Sequence, residues 1–553
     1  MSFIKLVVAV IFCAIILCYN IGIMVRKFLF ICCLALGMML EGWAQEITIL
    51  HTNDIHCGVS EGVTLSSVSW LKNVYKNAGL PVALVDAGDA VQGAPLGTLT
   101  KGSAIIRLMN ACEYDFAIPG NHEFDYGMEN FLDLHANLKC NYFSANLFRD
   151  GKLLLQPYKI MDLGGRKIGF VGVTTPGTLV SSNPMVFKDQ KSRKKQLYNF
   201  GEKVKKKEPE LYKIVQKSID KAQKEGAEKI VLVAHFGNGY GLWNIADLVK
   251  NLHNVDVVID GHTHQDYILK LPNGDGKEIL VSQTGSRLSS VGRIRITDKE
   301  ILADHIYHLS GNDEIVDEGV VFENGNLNEI LMAVLGHTGY NLCAFNPETK
   351  ERLVRKTESN LGDFVADAFR KVCDADIAVV NGGDLRTDIS EGIVTFRDVL
   401  SVLPFTDELC VIEVTGKQVL DMLEFSVYRY PDEFGGFLQV SGIEFNIDTS
   451  IPSSVVTDNK GVFVKVAGKR RVKNVRIGGV PLNEKKTYTL CGMDFTLRNG
   501  GDGYAMLCDA PLAKLMVLKD SDAMVEYIHN YLEGVIPDTY NNFSGLGRIK
   551  ISE

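Results

Sequence analysis

From Glu46 onward, short apolar runs alternate with amphipathic stretches. Ile47–Leu50, Val82–Val85, Phe116–Ile118, Ile168–Val173, Ile230–Ala234 and Val255–Ile259 are continuous apolar runs bounded by polar or turn residues. That is the signature of strands buried on both faces. Between them, Leu65–Asn77 and Ala104–Met109 carry helical spacing. The alternation predicts an α/β core covered by helices. Around Val316–Cys343 the strand pattern gives way to a helical one, with Ile330, Leu331, Val334 and Leu335 on one stripe. A second unit follows, opened by a helix over Phe364–Val372 and a strand over Ile377–Val380. The expected layout is a leader over 1–44, a first α/β domain over 45–315, a helical linker over 316–345 and a second, α+β domain over 346–553.

Composition adds limits. A chain of 553 residues with 46% hydrophobic and 23% charged positions is an ordinary globular protein with room for two large domains. The formal net charge of −9 argues against a nucleic-acid partner. An anionic small molecule would need local positive charge, from metal ions or a few placed arginines. The front end holds two apolar stretches, Phe3–Met24 and Phe28–Leu40, split by Arg26-Lys27. Met24-Val25-Arg26-Lys27, an apolar core and Gly42-Trp43-Ala44 form a complete secretory signal with a small-x-small cleavage site, with Met24 as the expected translation start. The expectation is export to the periplasm or beyond with cleavage after Ala44, leaving no stable membrane insertion. Retention of Phe3–Ile23 as an anchor is the alternative. Of twelve cysteines, four lie in the leader, and the other eight are widely spaced with no Cys-x-x-Cys pair. That excludes a zinc ribbon or a dithiol redox motif and leaves disulfide pairing open.

Candidate chemistry sits at the ends of the strands. Asp54 and His56, Asp89, Asn121 and His122, His235, and His262 and His264 each follow an apolar run directly. Loops at the carboxyl ends of neighbouring strands share one edge of a sheet, where open α/β folds bind ligands. Any one of these residues alone reads as a capping aspartate or a satisfied loop histidine. Together they make an oxygen and nitrogen donor set without sulfur, suited to Zn²⁺, Mn²⁺, Fe or Co, and numerous enough for two ions bridged by a carboxylate. Lys188–Lys229 is lysine-rich, with an apolar helical face at Leu211, Ile214, Val215 and Ile219, and reads as a solvated surface insertion.

Asp54-x-His56, Gly88-Asp89, Gly120-Asn121-His122-Glu123, His235 and Gly261-His262-x-His264 resemble the five blocks of the calcineurin-like metallophosphoesterases, over about Glu46–Ala303. The resemblance implies a layered α/β/β/α sandwich and two divalent metal ions, Zn, Mn or Co. Asp54, His56 and His264 would bind one ion, Asn121, His235 and His262 the other, and Asp89 would bridge. His122 with Asp125 would form a catalytic dyad outside the metal ligands.

In the second half, Arg355, Asn381-Gly382-Gly383-Asp384-Leu385-Arg386, Gly435–Gly442 and Asn499–Tyr504 resemble the C-terminal substrate domain of the 5′-nucleotidase family, over about Glu351–Ile549. The resemblance implies that Phe437 and Phe495 sandwich a nucleobase, Asp502 accepts a ribose hydroxyl, and Arg355, Asn381 and Arg386 hold base edge or phosphate. Core packing is the alternative for both phenylalanines. Two positions depart from the family pattern: Phe495 stands one residue farther from Gly-Gly-Asp, and Asp384 replaces a common glycine. The expected function is release of phosphate from nucleoside 5′-monophosphates by attack of metal-activated hydroxide on phosphorus. UDP-sugar or 2′,3′-cyclic-nucleotide hydrolysis stands second. Thiosulfonate hydrolysis and a non-catalytic metal-binding surface protein are distant.

Overall fold

The computed structural model describes residues 46–552 apart from 61, 190–191, 193–194, 206–207, 240–242 and 326. The leader expected over 1–44 lies outside the described residues, as do Lys191, Lys194, Lys206 and Lys207. Among the described residues, no helix is long and apolar enough to cross a membrane.

The first half runs β1 (Ile47–Thr52), α1 (Leu65–Asn77), β2 (Val82–Asp86), α2 (Ser103–Ala111), β3 (Phe116–Ala117), β4 (Tyr158–Leu163), β5 (Arg166–Thr174), α3 (Glu210–Lys224), β6 (Lys229–His235), β7 (Val257–Ile259), β8 (Asp266–Pro272), β9 (Glu278–Thr284), β10 (Val291–Ile296) and β11 (Ile301–Ile306). One sheet has the order β11-β10-β1-β2-β3 and the other β8-β9-β7-β6-β5-β4. The two sheets face each other through Ile47, Ile49, Val85, Phe116, Phe170, Val231, Val233 and Ile259. The opposite side chains of the same strands, Leu50 and Leu84, pack under α1 and α2. Ile230, Leu232 and Ala234 likewise pack under α3, whose Leu211, Val215 and Ile219 are buried. A strand places successive side chains on opposite faces, so a strand between a sheet and a helix layer must be apolar throughout. The result is an α/β/β/α sandwich. β1, β2 and β3 are mutually parallel, as are β5, β6, β7 and β9, so their carboxyl ends gather at one edge.

Between the halves, α4 (Glu314–Gly325) lies back on the first half. Val316 enters its core, and Arg107 on α2 grips Glu323 with two bonds of 2.6 and 2.7 Å. The helical stripe expected to continue through Val334 and Leu335 does not. After a short turn of helix at Asn328–Leu331, Val334–Thr338 is a strand, β12, antiparallel to a strand at Gly392–Thr395. A glycine at 336 and an available partner strand outweigh local periodicity there.

The second half adds α5 (Asn360–Cys373), β13 (Ile377–Asn381), α6 (Phe396–Val402), β14 (Glu408–Thr415), β15 (Leu438–Ser441), β16 (Thr487–Met493) and β17 (Leu512–Lys519), forming a mixed sheet in the order β15-β13-β16-β14-β17. Ser359 caps α5 by accepting from the Gly362 amide at 3.0 Å, and α5 buries Leu361, Phe364, Val365 and Phe369. β13 ends at Asn381, which delivers the Gly-Gly-Asp-Leu-Arg turn to the face opposite the first half's strand ends. The halves meet directly, with Thr98 donating to the Pro404 carbonyl at 2.7 Å and Asn459 donating to the Glu202 carbonyl at 2.9 Å.

Candidate active site

At the shared strand edge, Asp54, His56 and His264 offer one ligand atom each, all within 4.8 Å of one another, and Asp89, His235 and His262 do the same. Six of the seven sequence candidates thus fall into two adjacent clusters. Asn121, the seventh, is buried with its Oδ1 lacking any hydrogen-bond partner. An orphaned buried acceptor is rare and asks for a ligand. His56 Nδ1 donates to the Gln92 carbonyl at 2.6 Å and His235 Nδ1 to the Ala87 carbonyl at 2.8 Å. Those bonds fix the tautomer and aim the Nε2 lone pairs inward, the usual arrangement behind a metal-ligating imidazole. His56 Nε2 and His264 Nε2 then converge at 2.9 Å. The donor set and its orientation fit two divalent cations.

Electrostatics point the same way. Burial, helped by the nearby Arg386, holds the His56 imidazole well below its ordinary pKa, and burial with the charges of His56 and Arg386 does so for His264. Burial and His235 bring His262 down to about 3. Neutral imidazole is the form that ligates. Burial pushes Asp54 up to about 7, whereas His235 and His122 outweigh burial at Asp89 and keep it ionised. His235 Nε2 lies 3.0 Å from Asp89 Oδ2, and that carboxylate outweighs burial to raise His235 to about 10. Cation binding between the two would release that proton.

The backbone is bent to bring these groups together. Asp54, His56, Asp89, His262 and His264 have φ of 50°, 49°, 60°, 90° and 59°, a left-handed region that non-glycine residues rarely adopt. Such strain, of order 1–3 kcal/mol per residue, persists where surrounding structure enforces it. Two carboxylates absent from the sequence candidates do the enforcing. Glu123 accepts from the Asp89, Ala90 and Gly120 amides at 2.9, 2.8 and 2.6 Å, tying the loop after β2 to the loop after β3. Asp260 accepts from the Phe236 and Gly237 amides at 3.0 and 3.1 Å and from the Tyr267 hydroxyl at 2.7 Å, tying the loop after β6 to the loop after β7. Their position beside the candidate ligands was the only signal of this in the sequence. Gly120 is required for contact, since a Cβ there would stand 2.2 Å from Asp89 Oδ1.

His122 stands beside the clusters. Its Nδ1 is 2.5 Å from Asp125 Oδ2, and Ser182 donates to Asp125 Oδ1 at 2.9 Å. Burial opposes protonation of His122, but Asp125 and Asp89 outweigh it and raise the imidazole above its ordinary pKa.

The second half roofs this edge. Arg386 stacks over Phe405 at 5.8 Å, and Phe405 lies 5.5 Å from the His122 ring, a contact no sequence signal singled out. Arg355 is half-buried, with its Nε atom buried and unpartnered, and acts electrostatically on His262 and His264. Asn381 donates to Asp502 at 2.9 Å, and burial pushes Asp502 up to about 6 against the pull of Arg355. Arg355, Asn381, Arg386 and Asp502 are therefore brought together. The two phenylalanines are not presented alike. Phe437 is 1% exposed inside the core with Phe425 and Tyr504, and Phe495 is 7% exposed with Gly501 packed on its ring. Neither offers an open face in this arrangement. Asp384 is buried with Oδ2 unpartnered, and burial with Asp502 raises it well above the usual carboxylate range.

A family model for calcineurin-like phosphoesterases matches residues 47–266, and one for the 5′-nucleotidase C-terminal domain matches residues 335–509. The chain belongs to the 5′-nucleotidase family. Membership makes it a metal-dependent phosphoester hydrolase. The 5′-nucleotidase of Rattus norvegicus is 28% identical, with 90% of each chain covered, and a snake venom 5′-nucleotidase from Gloydius brevicauda is 27% identical, with 84% of this chain and 82% of the relative covered. Among solved structures, a 5′-nucleotidase precursor from Thermus thermophilus superposes with a TM-score of 0.75 at 26% identity, covering 92% of this chain and 99% of its own. The family's order of a phosphoesterase half before a nucleotidase half is thus the order of the two halves here.

Proposed function

We propose that this chain releases phosphate from nucleoside 5′-monophosphates outside the cytoplasm, with catalysis in the first half and nucleotide recognition in the second. The observation that carries the reading is the pairing of two clusters of inward-aimed ligand atoms with arginines from the opposite half. Asp54, His56 and His264 would hold one divalent ion, Asn121, His235 and His262 the other, with Asp89 between them. When bound, such ions supply Lewis-acid polarisation of the phosphoryl oxygens and acidify coordinated water.

The chain's own residues do the rest. Asp125 orients His122 and favours its protonated form, so Nε2 presents a proton to the phosphoryl or leaving oxygen. Arg355 and Arg386 bring guanidinium forks to the anion from the roof, which compensates an acidic chain binding an acidic substrate. Asn381 and Asp502, already hydrogen-bonded to each other, supply acceptors and a donor for ribose and base. Closure of the roof excludes water and strengthens each of these interactions.

The test is phosphate release from AMP, ADP, ATP, UDP-glucose and 2′,3′-cyclic AMP by chelator-stripped protein given Mn²⁺, Co²⁺ or Zn²⁺. Metal-dependent release from AMP is expected to lead. Hydrolysis confined to UDP-glucose or the cyclic nucleotide would replace the monophosphate reading, and no release from any nucleotide with any ion would end it.

A further inference from the structure

Phe405 lies in the loop between α6 and β14 and belongs to none of the sequence motifs. Its half-buried ring stands 5.5 Å from the His122 ring, centroid to centroid, at an interplanar angle of 39°. The loop is pinned at both ends. Thr98 of the first half donates to the Pro404 carbonyl at 2.7 Å, and the Asp520 amide donates to the Asp407 carbonyl at 2.9 Å. Between these anchors Thr406 holds a left-handed φ of 56°, which a β-branched residue adopts only under constraint. The ring is therefore held against His122 by contacts from both halves.

The other restraints on His122 come from its own half. Its Nδ1 is 2.5 Å from Asp125 Oδ2, and its Nε2 points towards the metal-ligand clusters, 4.0 Å from Asp89 Oδ2. The His56 ring meets it edge to face, with centroids 5.3 Å apart. One hydrogen bond at Nδ1 aims Nε2 but resists tilting weakly, because such bonds tolerate a bend of about 30°. A ring packed on the imidazole supplies the missing resistance and keeps water off it. The same loop steadies Arg386. The Arg386 amide donates to the Val402 carbonyl at the end of α6 at 3.0 Å, and its guanidinium carbon lies 5.8 Å from the Phe405 centroid. One side chain thus touches a group from each half.

We propose that Phe405 is a positioning residue for phosphoester hydrolysis, packing on His122 so that the acid is aligned only when Arg386 is seated with it. With the roof displaced, the bond from His122 to Asp125 would survive, but the imidazole would lose its packing partner. Alignment of the acid and delivery of the arginine are then one event, and a misplacement of about 1 Å at a reacting group can cost about 100-fold. The inference rests on the roles given above to His122 and Arg386 and deepens them.

The test uses the full chain reloaded with metal and the ester that the wild type cleaves fastest. An aromatic contact is worth about 2- to 12-fold beyond burial. Phe405→Ala is expected to lower kcat by about that factor, and to lower it no further in a His122→Asn background, where the group it positions is gone. The rise in KM expected through Arg386 should likewise be absent in an Arg386→Ala background. Phe405→Tyr, which keeps the ring, should stay near wild type. Should Phe405→Ala fail to fold, Phe405→Leu takes its place, keeping most of the volume without the aromatic face. Wild-type kcat in the variant, or equal losses in every background, would overturn the assignment in favour of plain packing between the halves. Nuclear magnetic resonance of ring-labelled histidine gives a readout free of turnover: the signal removed by His122→Asn should shift in Phe405→Ala, and an unmoved signal would also overturn the inference. If the wild type cleaves no ester at all, the phosphohydrolase reading fails by itself, and the histidine signal still decides whether Phe405 packs on His122.

Discussion

Replacing Asp125 by asparagine tests the claim that His122 works as a cation steadied by its neighbour. The substitution is nearly isosteric. The amide can turn its oxygen to His122 Nδ1, 2.5 Å away, and donate to Ser182 Oγ, 2.9 Å away, so the imidazole keeps its tautomer and orientation. What it cannot keep is the charge. A hydrogen bond to a charged group contributes about 1.5–3 kcal/mol and a neutral one about 0.5–1.5, so roughly 1–2 kcal/mol is lost, or about 5- to 30-fold in kcat. KM should change little, because the side-chain contacts of Asp125 are to His122 and Ser182. The pH profile gives a second readout. Asp125 is the largest cause raising His122 against burial. A raised imidazole stays protonated to higher pH, so activity that needs the proton fails as pH rises through the folded-state value. Removing the carboxylate leaves Asp89 alone to oppose burial, and the basic limb moves to lower pH. Steady-state kinetics on AMP from pH 5 to 9 measure both effects. An Asp125→Asn enzyme with wild-type kcat and an unmoved basic limb would refute the reasoning. So would an asparagine variant as damaged as Asp125→Ala, since that would assign the whole effect to orientation.

Three other outcomes follow from the structure. Gly292→Ala would place a methyl 1.9 Å from His51 Nε2 and 2.2 Å from Cε1, in a fully packed layer. Overpacking plus disruption of the His51–Ser282 hydrogen bond should cost roughly 2–5 kcal/mol, read as a lower Tm, and His51→Ala should recover part of it; strictly additive losses would count against the clash. Burial and His305 depress His51 to about 3. The unfolded chain therefore binds the extra proton between about pH 3 and 6.5, and wild-type stability should fall with pH across that window by up to roughly 5 kcal/mol, a slope that His51→Gln should flatten in urea titrations. Chelation should abolish turnover and lower Tm, with both restored by Mn²⁺, Co²⁺ or Zn²⁺; at ion concentrations about a thousandfold above Kd the stabilisation is about 4 kcal/mol, and an unchanged Tm would argue that the clusters do not bind.

Much of the framework is written locally. The apolar runs at Ile47–Leu50, Val82–Val85 and Ile230–Ala234 became central strands, and Leu65–Asn77 became a helix of those bounds. Burial on both faces leaves no polar alternation to misread, so continuous runs specify strands wherever helices and a second sheet cover them. The convergence of the candidate ligands was legible for a related reason: parallel strands share an orientation, so residues just past their carboxyl ends must meet at one edge. Periodicity failed at Val334–Leu335, where a partner strand decided the conformation.

What the sequence by itself determined is the candidate donor set, two aspartates, an asparagine and four imidazoles, because ligand chemistry lives in side-chain identity. Only the tertiary structure decided which donors belong together. It split them as Asp54, His56 and His264 against Asp89, His235 and His262, and it set His235 3.0 Å from Asp89. It also revealed the groups that no local pattern marks. Glu123 and Asp260 act by holding amides of loops up to 34 and 24 residues away. Phe405 reaches His122 only because the second half closes on the first. Phe437, for which the resemblance implied base stacking and core packing stood as the alternative, lies in the core with Phe425 and Tyr504, since burial is set by what the tertiary fold packs around a side chain rather than by its neighbours in sequence.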